Sequence, residues 1–248
     1  MSLWEINVKE SSLVSGSAQL LSLLYGVNLE DYDNEDELNK RLNEIKEEKI
    51  SIIKNMIIPN ILKNYDITLD NCNAIEIGPG AGIMLDWLAP QINHIYCIDI
   101  SKTILESCYN ENKQHKNVSY HFIEGALDLS DLKDIDFVYS QSVFIHLSVL
   151  DFYVYFEELY NCLKPGGLIY IDIIDSDNPN FSLEETEYQN QLINYKALYN
   201  TDVSIKTLYH VNSSSVLTKT ANDLGYELVW SQYSIYNLAN LSLIFRKV

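Results

Sequence analysis

Cations are scarce in this sequence: 17 Lys and Arg stand against 35 Asp and Glu, a formal net charge of −18 with His neutral. A nucleic-acid groove needs clustered cations to displace counterions from phosphates, so a chain of this sign is repelled by that backbone at long range. No uncharged apolar run reaches the roughly 18 residues of a membrane span, and Met1-Ser-Leu-Trp-Glu5 lacks the basic-then-apolar layout of a signal peptide. The expectation is a soluble, unexported, cytoplasmic protein that binds neither nucleic acid nor membrane. Cysteine is limited to Cys72, Cys97, Cys108 and Cys162, with no CxxC pair, and the five histidines are scattered. That spacing offers no metal ligand set, so no metal is expected and the thiols are read as free in a reducing compartment. What the chain does have is 47% apolar and 11% aromatic residues over 248 positions. This suffices for a large core, excludes wholesale disorder, and allows one large α/β domain or two small ones.

The nine glycines are concentrated, with Gly78, Gly80 and Gly82 in one cluster and Gly166 and Gly167 adjacent. Glycine serves where φ must be positive or a backbone must come close to something. Around these points β-rich apolar runs alternate with helical patterns. The predicted strands are 74–77, 95–99, 118–123, 135–140, 168–174, 226–233 and 241–246, with helices at 82–88, 101–112, 147–163 and 213–224. Near-continuous Ile, Val, Tyr and Phe suit strands covered on both faces. The fold class expected is therefore α/β, a Rossmann-like doubly wound, mostly parallel sheet of seven strands with helices on both faces. Residues 1–70 read as an N-terminal helical cap, with helices at 11–25 and 36–64, the second carrying Ile45, Ile52, Ile53, Met56 and Ile57 on one side. Residues 71–248 form the main domain, interrupted after the fifth strand by a covering insertion at about 175–210 that contains a helix at 183–198. Lys164-Pro-Gly-Gly167 reads as a helix stop and turn.

The central constellation is Ala74-Ile-Glu-Ile-Gly-Pro-Gly-Ala-Gly-Ile83, with Asp99 at the end of the next apolar run. A strand that turns into a helix through glycines lets a ligand approach the backbone, and an acid at the tip of the second strand can accept both hydroxyls of a ribose. Asp99 could alternatively cap the helix that follows it. The dinucleotide fingerprint GxGxxG fails on the letters, because Ile83 stands where its third glycine belongs. Glu76-x-Gly78-x-Gly80-x-Gly82 instead resembles the first motif of class I S-adenosylmethionine-dependent methyltransferases of the small-molecule type. Four further blocks resemble that family in order: Ile95-Tyr-Cys-Ile-Asp99-Ile-Ser101, His121-Phe-Ile-Glu-Gly125-Ala-Leu127, Ile135 to Leu147, and Leu163-Lys-Pro-Gly-Gly167.

The resemblance implies S-adenosyl-L-methionine as cofactor, S-adenosyl-L-homocysteine as its product, and a small-molecule methyl acceptor. It implies that Gly78, Pro79, Gly80 and Gly82 carry the loop past the methionine part, that Asp99 binds the ribose, and that Ile100 packs on the adenine. Gly125, Ala126 and Leu127 would border the adenine, and Ser140 and Gln141 would line the floor near the sulfonium. Where the family often has Asp directly after the glycine, this chain has Ala126, which passes adenine recognition to backbone groups or to Asp128. Glu76 lies inside a strand where an unpaired carboxylate is costly, so it is expected to bond loop amides, the cofactor ammonium, or both. Methyl transfer from a sulfonium needs chiefly alignment, with a general base only for a protonated nucleophile. His146, just after the fourth strand, and His210, at the end of the insertion, are the candidate catalytic residues. Among the 18 tyrosines, Tyr25 is the candidate to cover cofactor or substrate. The reading that follows is O-methylation of a small molecule; the alternatives are a basic protein or cationic small molecule drawn in by the negative field, and a non-catalytic cofactor-binding module.

Overall fold

In a computed structural model of the chain, residues 34–64, 68–179, 181, 210–234 and 240–248 are described. Tyr25, the predicted helices at 11–25 and 183–198, and most of the expected insertion lie outside these residues. The chain divides into two compact units, one of Glu5–Ala126 with Ile135–Tyr139, the other of Leu127–Asp134 with Ser140–Val248.

The first unit opens with α1 (Glu35–Ile52), whose N-cap Asn34 accepts the Glu37 amide at 3.0 Å. The single helix expected over 36–64 is broken by a π-turn at Ile53–Ile57 before α2 (Ile58–Asn64). Two features of the sequence explain the break. Pro59 has no N–H to give the carbonyl four residues back, and the wide turn, with the Ile58 amide on the Ile53 carbonyl, absorbs that loss. The same turn brings Ile53, Ile57 and Ile61, spaced by four, onto one buried line, while Ile52 and Met56 are only half-buried. Four parallel strands follow: β1 (Asn73–Ile77), β2 (His94–Asp99), β3 (Val118–Phe122) and β4 (Ile135–Tyr139). Their order is β3-β2-β1-β4. The chain thus runs from β1 outward to β3 and then returns to the other side of β1, which creates a switch point at the carboxyl end of β1. Helices α3 (Ile83–Leu88) and α4 (Lys102–Asn112) make the first crossovers.

In the second unit, Ser148 and Asp151 form a reciprocal capping box at the start of α5 (Val149–Cys162). The expected turn at Gly166 and Gly167 is absorbed into a longer strand, β5 (Leu163–Asp175), which begins directly after the helix and bends at Gly166 (φ 79°). β7 (Tyr226–Tyr233) and β8 (Asn240–Lys247) pair antiparallel, and β8 pairs antiparallel with β5. Between β5 and β7 lies α6 (Ser214–Asp223). A two-residue strand β6 (Val211–Asn212), parallel to Ile174 and Asp175, raises the expected seven strands to eight among the described residues. It is too short to leave a periodicity in sequence. The class is nevertheless the one expected, a mostly parallel Rossmann-like sheet, here with an antiparallel edge.

The core of the second unit is aromatic. Phe156 stacks on Phe152 (3.9 Å between centroids) and meets Phe144, Tyr226 and Phe245 edge-on, while its carbonyl accepts the Tyr226 hydroxyl at 2.8 Å. Phe156 itself is fully buried. Phe156→Ala is expected to cost about 3–5 kcal/mol, read as a lower urea midpoint at unchanged slope; a loss below ~1 kcal/mol would contradict this packing.

Candidate functional site

At the end of β1 the backbone enters the left-handed region three times in five residues, at Gly78 (φ 69°), Gly80 (56°) and Gly82 (75°). Two bonds pin the loop: the Gly78 amide donates to the Ile98 carbonyl and the Gly82 amide to the Pro79 carbonyl, both at 2.9 Å. The glycines do not serve one purpose. A Cβ on Gly82 would fall 2.1 Å from Asn112 Nδ2 and 2.9 Å from Cys108 Sγ, so this position permits α4 to close against the loop. Asn112 in turn donates to the Gly82 and Cys108 carbonyls at 3.3 and 3.0 Å. Close approach of a ligand to backbone is left to Gly78 and Gly80.

Beneath the loop lies a row of polar side chains that strand register aligns on one face. Glu76 pairs with Tyr139 of β4 on one side and with Cys97 of β2 on the other, and Cys97 pairs with Tyr120 of β3. Cys108 of α4 lies near enough to Cys97 to add to the effect of burial, which pushes the Cys97 thiol up. Glu76 is 3% exposed and its Oε2 has no hydrogen-bond partner among the described residues; the same holds for the Tyr120 and Tyr139 hydroxyls and Asn112 Oδ1. Burial pushes the Glu76 carboxyl up to about 8, against a smaller downward pull from the Tyr139 hydroxyl beside it. That hydroxyl is near enough to bias the proton without completing a full hydrogen bond.

Asp99, at the tip of β2, accepts the Ser101 amide on Oδ1 at 2.8 Å. It is not the cap of α4: Ser101 is, its side chain accepting the Ile104 amide. Burial raises the Asp99 carboxyl to about 6, partly offset by the Ser101 and Ile100 amides. Next to it Ile100 is 38% exposed, a large apolar surface at a strand tip. Gly125 (φ 85°) and Ala126 are exposed after β3, and a Cβ on Gly125 would meet nothing within 4 Å, so its requirement is conformational. The loop, Glu76, Asp99, Ile100, Gly125 and Ala126 all belong to the first unit.

The remaining candidates belong to the second. Leu127 is half-buried, and Asp128 is engaged in its own turn, accepting the Ser130 amide at 3.0 Å. Ser140 is buried, its amide on the Tyr170 carbonyl, and Gln141 Oε1 is buried with no partner among the described residues. Ser142 adopts φ 61°, a conformation that Asp172 holds by accepting its amide at 2.7 Å. His146 closes a 3₁₀ turn (Phe144–His146), and the exposed His210 donates its amide to the Ile145 carbonyl at 2.7 Å. The two candidate histidines are thus brought together by the main chain. Tyr139, Asn112 and Asp172 were not anticipated. The cue for Asp172 was available, a lone carboxylate inside an apolar run like that around Glu76; Tyr139 and Asn112 become visible only once register and helix packing are known.

No helix among the described residues is long and apolar enough to cross a membrane. Among solved structures, the chain resembles magnesium protoporphyrin IX methyltransferase from Synechocystis, determined with bound S-adenosylhomocysteine, at 13% identity over 88% of this chain and 89% of that one (TM-score 0.56). It also resembles an S-adenosylmethionine-dependent methyltransferase from Methanosarcina mazei, at 16% identity over 78% and 97% (TM-score 0.58), and the cyclase SpnF, at 10% over 77% and 79% (TM-score 0.56). At these identities the likeness is one of fold, and the fold is that of the Rossmann-like methyltransferases. Residues 75–171, which run from β1 into β5, match the family model described as a methyltransferase domain. No curated protein sequence matches the chain.

The carboxyl of Glu76 has a direct consequence for stability. Its folded-state value lies above the ordinary one, so its contribution is fully present below about pH 4.5 and is lost as pH rises toward about 8. Glu76→Gln, which cannot ionise, should gain in urea midpoint relative to the ligand-free wild type as pH rises from 5 to 8. A difference that stays constant with pH would show that Glu76 does not carry this burden.

Proposed function

We propose that the chain is an S-adenosylmethionine-dependent methyltransferase acting on a small molecule, with oxygen as the acceptor atom. The observation that carries the reading is the buried Glu76 carboxyl directly under a glycine loop, its Oε2 without a hydrogen-bond partner among the described residues, with a second acid, Asp99, at the neighbouring strand tip. A buried carboxyl without a partner is costly, and a docked ammonium compensates it. The site residues fit the cofactor in three places. Glu76 takes the ammonium of the methionine part, Gly78 and Gly80 let the backbone pass beside it, and Asp99 accepts the ribose hydroxyls with Ile100 against the adenine. Gly125, Ala126 and Leu127 border the adenine edge through backbone groups, since Asp128 is occupied by its own turn. The cofactor, when bound, supplies an electrophilic methyl on a good leaving group.

The chain's own residues then align the acceptor. On this reading Ser140 and Gln141 hold the polar groups of the acceptor, Gln141 through Oε1, which is buried with no hydrogen-bond partner among the described residues. His146 takes the proton of an alcohol or phenol, and His210, linked through Ile145, assists it. The net charge of −18 supports a second reading, a cationic acceptor, distinguishable by a steep loss of association rate with added salt. The likeness to a cyclase means that the acceptor screen, rather than the fold, decides the reaction.

S-adenosylhomocysteine is expected to bind in calorimetric titration, and Asp99→Ala to weaken it by about 1.5–3 kcal/mol, roughly 10- to 150-fold. Because a ribose diol donates to the charged carboxylate, wild-type affinity should also fall as pH drops through about 6; unchanged affinity in the folded variant would refute the ribose role. With an alcohol or phenol acceptor that turns over, His146→Ala should retain cofactor affinity and slow turnover by about a hundredfold or more. An undiminished rate would leave His146 a structural residue.

A further inference from the structure

The row that runs Tyr139, Glu76, Cys97, Tyr120 across four strands holds more buried polar atoms than it satisfies. Those on Glu76 and Tyr139 are adjacent: the two residues are register partners on neighbouring parallel strands, both essentially inaccessible, each with an oxygen that lacks a hydrogen-bond partner among the described residues. The titratable groups that face Glu76 from the packed elements are Tyr139 on β4, Cys97 on β2, Tyr120 beyond it on β3 and Cys108 on α4, with Asp99 further along β2. None of these is a cation. A hydroxyl next to a carboxyl can accept from its acid form or donate to its charged form, so Tyr139 can serve both states of Glu76 without moving.

We infer that Tyr139 is the positioning residue of an ammonium subsite: in the ligand-free protein it stands beside a neutral Glu76, and when an ammonium docks, Glu76 releases one proton to solvent while the Tyr139 hydroxyl donates to the resulting carboxylate. The change balances as Glu76–COOH plus ligand ammonium giving the carboxylate–ammonium pair plus one free proton. The inference rests on the cofactor reading above and deepens it, since it gives the amino-acid end of the ligand a pH dependence of its own near 8, separate from that of Asp99 near 6. The elevated Glu76 value, about 8, agrees with a neutral acid at pH 7. Tyr139 donation lowers that value, so the hydroxyl eases the ionisation that docking requires.

The test is calorimetry of the full chain with two ligands at pH 7, each in two buffers of different ionisation enthalpy. S-adenosylhomocysteine carries the ammonium; 5′-methylthioadenosine has the same adenosine and lacks it. Both present a ribose to Asp99, and methylthioadenosine lacks the α-carboxylate along with the ammonium, so the Glu76→Gln variant is what assigns the proton difference to Glu76. The expected result is about 0.9 proton released with the first beyond that released with the second, the fraction neutral at pH 7 for a group titrating near 8. Glu76→Gln should abolish that difference and leave methylthioadenosine affinity within about twofold. Tyr139→Phe should bind S-adenosylhomocysteine about threefold to tenfold more weakly at pH 7, with the midpoint of its affinity-against-pH curve moved upward. A tyrosine that merely packs would leave that midpoint in place, and Tyr139→Leu is a second hydroxyl-free variant should the first fold poorly. Binding of S-adenosylhomocysteine with no excess proton would overturn this inference and leave the cofactor reading intact. Failure of the folded wild type to bind either ligand would overturn both.

Discussion

A carboxylate at the inner end of a parallel strand is the constraint around which the first unit is arranged. β1 has neighbours on both sides, β2 and β4, and Glu76 is placed between Cys97 and Tyr139 and is buried. An ionised carboxylate there would be destabilising by several kcal/mol without a partner. The surroundings are tuned to tolerate a neutral acid: two thiols, a phenol on either side, and a carboxamide on α4. The loop above accepts three left-handed residues in five, and at Gly82 it gives up even a methyl group so that α4 can close over the row. Such a concentration of unsatisfied polar atoms at a strand end is a departure from the rule that buried polar groups are paired, and departures of this kind gather where a protein meets a ligand.

The second unit solves a different problem. Its antiparallel edge and its aromatic core around Phe156 form the base, and a group of acids and serines gathers at the carboxyl end of β5. There Asp175 accepts from the Ser214 amide and hydroxyl and from the Tyr233 hydroxyl, while Asp177 accepts from Ser213 and Ser215. Both acids are spent on the start of α6, where negative charge is favoured by the helix dipole. They are therefore architectural, in contrast to Glu76, although in sequence all three are acids at or near strand ends.

That contrast marks how far the sequence could be read. The succession of strands and helices along the chain was legible because apolar runs, glycine placement and helix caps agree with one another, and the glycine loop with Asp99 was legible because its residue types have few other uses. What escaped was whatever depends on an offset between elements. The π-turn before Pro59 shifts the phase of one helix, and no fixed period predicts it. β6 has two residues and no pattern. Tyr139 and Asn112 look like ordinary strand and helix residues until register sets one beside Glu76 and packing sets the other against Gly82. Asp172 carried the same cue as Glu76, an acid in an apolar run, but its task, holding Ser142 in a left-handed conformation, is visible only in three dimensions.

On either side of residues 182–209 the chain is fastened at the same place. Phe181 packs on Ile145 and Ile174, and the His210 amide bonds the Ile145 carbonyl before β6 joins β5. A segment whose two ends meet at one anchor is thermodynamically a closed loop, and the cost of closing a loop rises only by about 0.6 kcal/mol for each doubling of its length. The aromatic core bears none of that cost. The length of chain between those ends is therefore only weakly constrained by the anchor at Ile145.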